Sequence, residues 1–276
     1  MIAATTPVRG RMIDAPRPPL DGLGGRLVRT SIARRSWTLG RPVLLTVGFF
    51  ALAARGSWAL AVALFPFLFL SQVVALNDVM HRSIGLRLFP TEVAVSLLGL
   101  LVLESGHLIR VTHLAHHEQG GGADDPESYV DLLSPQRLAR EIPIYRFRIW
   151  RYGWRHGEAP DRALATLEIF IAALAAIWIL TGRAPASFTV FAILSIVAGW
   201  AFPLVSAMGP HVDWGRDTSS HCYRVRGRLL PKVMLNLPMH LEHHLYPEVP
   251  SHRLAELSKA LDSHFDASAI KEVRVW

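Results

Sequence analysis

Three clusters in the chain carry histidines in arrangements that suit metal binding: Asn77-Asp78-Val79-Met80-His81, His113-Leu114-Ala115-His116-His117 and His240-Leu241-Glu242-His243-His244. On a helix, positions i, i+3 and i+4 lie on one face, so each H-x-x-H-H box aims three imidazoles at one point. A single H-x-x-H is ordinarily a pair of solvated side chains. Two complete boxes with a third partial one are not explained that way. Neutral imidazole is a ligand for iron, zinc, copper and manganese alike. More imidazoles converge than one ion's shell can take, so two metals are the natural count.

These clusters need a scaffold, and the composition indicates what kind. Of 276 residues, 51% are hydrophobic, and the mean hydropathy is +0.27. Such a chain is too apolar for an ordinary soluble domain and points to membrane spans. Apolar sequence covers about 37–54 and 58–76, then about 164–180 and 186–208. Each pair reads as a transmembrane hairpin, turning at Arg55-Gly56-Ser57 and at Thr181-Gly182-Arg183-Ala184-Pro185. The stretch after Trp58 is long enough to cross a hydrocarbon core of roughly 30 Å. The first arm is interrupted by Arg41-Pro42 and is the weaker span. A shorter apolar run, Thr91 to Leu103, is too short to cross and is placed in the interface or against the bundle.

The expected fold is therefore all-α and integral to a membrane: four transmembrane helices in two hairpins, with a helical cap carrying the histidine boxes. Residues 1–36, rich in Arg, Pro and Gly, read as a mobile basic tail, and 37–276 as one membrane domain. A secretory signal is rejected, because the polar stretch before the first apolar run is far too long. The two hairpin turns carry only Arg55 and Arg183, while nearly all other basic residues fall on the opposite side. The positive-inside rule makes that side cytosolic, with both termini and every histidine on it. The formal net charge is +7, which beside such apolar spans favours anionic lipid or an acidic protein partner over nucleic acid. Cys222 is the only cysteine, so thiolates can build neither a disulfide within the chain nor an iron–sulfur cluster.

From about Leu76 to Leu261 the chain resembles the membrane fatty-acid desaturase and hydroxylase superfamily. The resemblance rests on the order and separation of the three boxes and on Asp125-Pro126-Glu127 after the second. It rests most specifically on the run from Asn236 through His240-Leu241-Glu242-His243-His244 to Leu245-Tyr246-Pro247-Glu248-Val249-Pro250. It implies a non-haem di-iron centre that uses dioxygen to place a double bond or hydroxyl in long apolar chains. It further implies a ligand histidine just before the third box, a place that His211 fits, giving His81, His113, His116, His117, His211, His240, His243 and His244 as ligands. One departure is that the family's first box opens with histidine, where this chain has Asn77. Either Asn77 holds a metal-bound water, or His107 supplies the missing imidazole. The first is favoured, because six residues separate His107 from His113 and place them on opposite sides of a helix.

Asp125-Pro126-Glu127 reads first as a helix start, with Asp at the N-cap and Pro at N1. Asp78 and Glu242 flank ligands and could orient imidazole N–H groups. His156, His221, His252 and His264 lie outside the boxes and read as surface residues. No haem, flavin or cluster segment is recognisable, so electrons must come from a separate ferredoxin-like or cytochrome-like donor. Arginines 137, 140, 146, 148 and 151, or 224, 226 and 228, could steer it. The expected activity is desaturation of a long acyl chain drawn from the bilayer, with the site on the cytosolic face of a cell (inner) membrane. The alternatives are a hydroxylase or carotenoid ketolase with the same boxes, and a histidine-rich metal transporter. A transporter places ionisable ligands near the midplane of its spans, where this sequence offers only Glu168 near one end.

Overall fold

A computed structural model of the chain describes residues 17–120, 124–204, 222–264 and 272–275. Among these, helices dominate: α1 (Leu20–Leu23), α2 (Ile32–Ala54), α3 (Trp58–Met80), α4 (Leu88–Leu100), α5 (Gly106–Gln119), α6 (Pro135–Glu141), α7 (Tyr145–His156), α8 (Ala159–Leu180), α9 (Ala186–Phe202), α10 (Leu230–Val233), α11 (His240–Leu245) and α12 (Leu254–Leu261). Strands β1 (Arg224–Arg226) and β2 (Glu272–Arg274) pair in parallel.

Three helices, α2, α3 and α8, are long and apolar enough to cross a membrane, and α9 is a shorter apolar helix. Only 11% of the apolar window of α8 is buried within the protein. An apolar face left so bare would drive aggregation in water, so hydrocarbon is the medium that fits it. The two hairpins turn where glycine permits a positive φ, at Gly56 (75°) and Gly182 (68°).

Helix α2 opens at Ser31, whose Oγ accepts the Arg34 N–H at 3.2 Å. It then runs without a break through Pro42, so the expected interruption at Arg41-Pro42 does not occur. Inside the helix, the proline carbonyl accepts the Thr46 hydroxyl at 2.9 Å, and Arg41 Nε reaches Ser71 Oγ of α3 at 2.7 Å. Phe49, Phe65 and Phe191 meet edge-to-face, with centroids 5.2–6.1 Å apart, and lock α2, α3 and α9 together.

Residues 17–36, expected within the mobile tail, are partly structured: α1 and the buried Leu27 pack on the apolar core beneath α11 and α12. Tyr246, just past α11, donates its hydroxyl to Pro18 O at 2.6 Å. The short run expected in the interface or against the bundle forms α4, which packs between α3 and α5.

Candidate metal centre

Helix α3 continues past the expected end of its span, so Asn77 and Asp78 sit on its last turn and His81 caps it. Helix α5 holds the second box. Ser105 Oγ accepts the Leu108 N–H at its start, and Gly120, at φ 59°, ends it just after His117. Its depth is set by close backbone packing on α7, where a Cβ on Gly153 would fall 2.5 Å from Leu108 O. The third box forms the six-residue helix α11, every residue of which is buried.

The boxes converge as two groups. His81, His113, His117 and His243 form one, and His116, His240 and His244 the other. Within each group, one ligand atom from every residue lies within 4.8 Å of the others. The groups abut, with the His117 and His244 rings stacked at 4.1 Å. Nε2 atoms face one another at 3.2 Å between His113 and His117 and at 2.9 Å between His240 and His244. His211 and His221 lie outside the described residues.

The donor set fits cations. Asp125 Oδ2 accepts the His116 Nδ1–H at 2.7 Å, and Glu127 Oε2 accepts the His113 Nδ1–H at 3.2 Å. Each carboxylate fixes the proton on Nδ1 and leaves the Nε2 lone pair pointing into its group. His81 Nε2 is buried with no hydrogen-bond partner among the described residues, a cost that a bound cation would remove. Burial first, and then the neighbouring imidazoles, push His81, His117 and His243 well below the usual histidine range. They are therefore neutral and available as ligands. Burial alone would raise Asp125, but His116 and the N–H groups of Ser128 and Glu127 hold it below the usual carboxylate range.

Asp125 thus does two things. Oδ1 caps the turn, accepting N–H groups of Glu127 and Ser128 at 2.8 and 2.9 Å, while Oδ2 orients His116. The sequence favoured the capping over a role at the site. Asp78 and Glu242, which could have oriented imidazoles, hydrogen-bond to no imidazole among the described residues. Asp78 Oδ1 accepts the Ser251 N–H and Oγ–H at 2.8 and 2.7 Å, tying α3 to the segment after the third box. Glu242 pairs with Arg224 at 2.9 Å.

Asn77 faces the first group, its Nδ2 3.2 Å from His113 Nε2 and 3.1 Å from His243 Nε2. Half a turn of the amide would bring its oxygen to the same place. His107 stands apart from both groups. Its Nδ1 meets Glu168 Oε1 at 2.6 Å and its Nε2 meets Glu92 Oε2 at 3.0 Å, so both nitrogens are directed at carboxylates and away from the metal groups. Arg110 extends this network to Glu92 at 2.9 Å and Asp161 at 2.5 Å, joining α4, α5 and α8. Two arginines expected to steer a partner are engaged within the protein: Arg224 is 5% exposed, and the half-buried Arg146 pairs with Glu104.

An apolar cleft between α3, α5, α7 and α9 reaches the first group at Asn77 and His113, with Val73, Leu76 and Ile149 on its walls. Two convergent imidazole groups opening on an apolar cleft suit oxidation of a hydrocarbon chain. A family model described as fatty acid desaturase matches residues 56–274. The chain belongs to the fatty acid desaturase family. Membership makes it an oxidoreductase, and with its apolar helices a membrane protein. No curated protein matches this desaturase-family chain.

Proposed function

We propose that the protein is a dioxygen-dependent membrane di-iron oxidase that introduces a double bond into a long acyl chain. The observation that carries this reading is the meeting of seven box histidines in two abutting groups at the end of an apolar cleft. His81, His113, His117 and His243 would hold one iron, with Asn77 beside it. His116, His240 and His244 would hold the other, together with His211. When bound, the irons supply an oxidant strong enough to take hydrogen from an unactivated methylene, which side chains alone cannot provide. Asp125 and Glu127 keep the Nδ1 protons in place, so that His116 and His113 present Nε2 throughout turnover. The apolar walls exclude water and align the chain beside the first group.

The balance requires a donor. Two hydrogens leave adjacent carbons as the double bond forms, and dioxygen becomes two waters by taking those hydrogens plus two electrons and two protons from outside. A separate ferredoxin-like or cytochrome-like protein fits the electron supply, and the exposed Arg137, Arg140 and Arg151 are available to steer it. The reading places α9 as a fourth span and the histidine cap on the cytosolic face, as the arginine distribution requires. Lipids from an expressing host, analysed by mass spectrometry, test the reaction. A loss of two hydrogens that requires dioxygen supports desaturation, whereas a gain of one oxygen makes the protein a hydroxylase.

A further inference from the structure

The cleft is apolar along most of its length, but its wall carries one ion pair. Glu104, just beyond α4, pairs with Arg146 of α7, and Trp150 donates Nε1–H to Glu104 Oε2 at 3.0 Å. Both charged residues line the same cleft as Asn77 and His113. Arg146 Nη2 is buried and has no hydrogen-bond partner among the described residues. It lies against α9 at Gly199, where an added Cβ would come within 2.9 Å of it, so the glycine leaves room for the guanidinium. Phe202 follows about 4.5 Å further along that helix, and it lines both this cleft and the space beside His116, His240 and His243. The guanidinium and the first metal group therefore line one continuous cleft.

A buried donor without an acceptor is unfavourable, more so when charged. An oxygen on whatever fills the cleft would remove that cost. Resting on the oxidase reading above, we propose that Arg146 Nη2 anchors an uncharged oxygen of the substrate, a carbonyl or hydroxyl, while the apolar chain runs along α3 to the metal groups. The oxygen is uncharged because Glu104 already balances Arg146, and a carboxylate would bring a second anion into an apolar cleft. Burial pushes Glu104 up to about 7 even with Arg146 beside it, so the site resists further negative charge. An anchor at a fixed point also sets which carbons reach the metals, making Arg146 a determinant of position as well as of substrate class.

The test is equilibrium binding of radiolabelled methyl stearate, stearate and octadecane to the iron-loaded full chain in detergent, with iron per chain measured alongside. A hydrogen bond to a charged donor contributes roughly 1.5–3 kcal/mol. Methyl stearate should therefore bind wild type about tenfold or more tightly than octadecane. Arg146→Lys keeps a cation beside Glu104 but lacks Nη2, and Gly199→Ala displaces Nη2 directly. Both should bring the two affinities together while octadecane binding and iron content stay unchanged, whereas general loosening of the fold would weaken both ligands. Equal wild-type affinities, no binding of either compound, stearate tighter than its methyl ester, or a preference that survives Arg146→Lys would each overturn the anchor. A preserved ester preference in protein that takes up no iron would instead refute the oxidase reading and leave the anchor standing.

Discussion

Replacing His107 by alanine separates a structural histidine from the metal-binding ones. Its ring is fully buried between Glu168, itself 1% exposed, and Glu92, which is 24% exposed. Removing it leaves the Glu168 carboxylate with the Ser105 hydroxyl at 2.6 Å, the backbone N–H of residue 107 at 3.3 Å and a hydrogen bond from Ser96. Leaving a buried carboxylate without its partner costs about 3–5 kcal/mol, and the remaining bonds place the expected loss near the lower end. For a chain of this size each kcal/mol shifts Tm by roughly 2–4 °C, so His107→Ala should melt on the order of 10 °C lower. Iron content should stay at the wild-type level, because His107 belongs to neither metal group. Adding Glu168→Gln removes the stranded charge and should recover part of the loss, giving a coupling energy between the two positions. The assay is thermal unfolding of the purified protein in detergent, with iron per chain measured on the same samples. Iron loss at an unchanged Tm would refute the reasoning and return His107 to the metal shell.

Asn77→Ala should lower metal affinity roughly tenfold or more, as losses beside metal ligands do; competition with a chelator measures it, and an unchanged affinity would show that Asn77 does not contribute. Asp125→Asn keeps an oxygen for the Glu127 and Ser128 N–H groups but weakens the hold on His116, so iron retention should fall roughly 10–100-fold with little change in Tm. Glu104 has its pKa raised to about 7 by burial, so the folded state binds its proton more tightly than the unfolded chain does. That contribution is complete below the unfolded value and is lost as pH rises through about 7. Apart from a pH-independent cost of leaving Arg146 without its carboxylate, the stability of Glu104→Gln relative to wild type should therefore rise between pH 5 and 8 by about 3 kcal/mol, and a constant difference across that range would argue against it. Reporter fusions should place Gly56 and Gly182 on one side of the membrane and Gly120 on the other; finding Gly120 with the hairpin turns would dismantle the topology.

The boxes were legible because their information is local. Spacings of three and four residues place the imidazoles on α5 and α11, but each box divides between the two groups rather than aiming at one point: His116 parts from His113 and His117, and His243 from His240 and His244. The hairpins were legible for the same reason, since run length and turn residues act over a few positions. What escaped depends on partners distant in sequence. Glu168 meets His107 from 61 residues away, and Ser251 claims Asp78 from 173 away, so no spacing rule could assign either. Asp125 was half read: the Asp-Pro pattern announces a cap, while its second oxygen finds His116 only once the loop folds back. Pro42 misled because a proline inside a helix ordinarily breaks it, whereas here α2 is held on both sides of that point by the Arg41–Ser71 bond and the Phe49 cluster.

The account stands or falls most directly on the metal content of the full-length protein purified from an iron-supplied host. Two irons per chain, without haem absorption, is the expected result. A single ion, a preference for zinc, or a chain that retains no metal would contradict it.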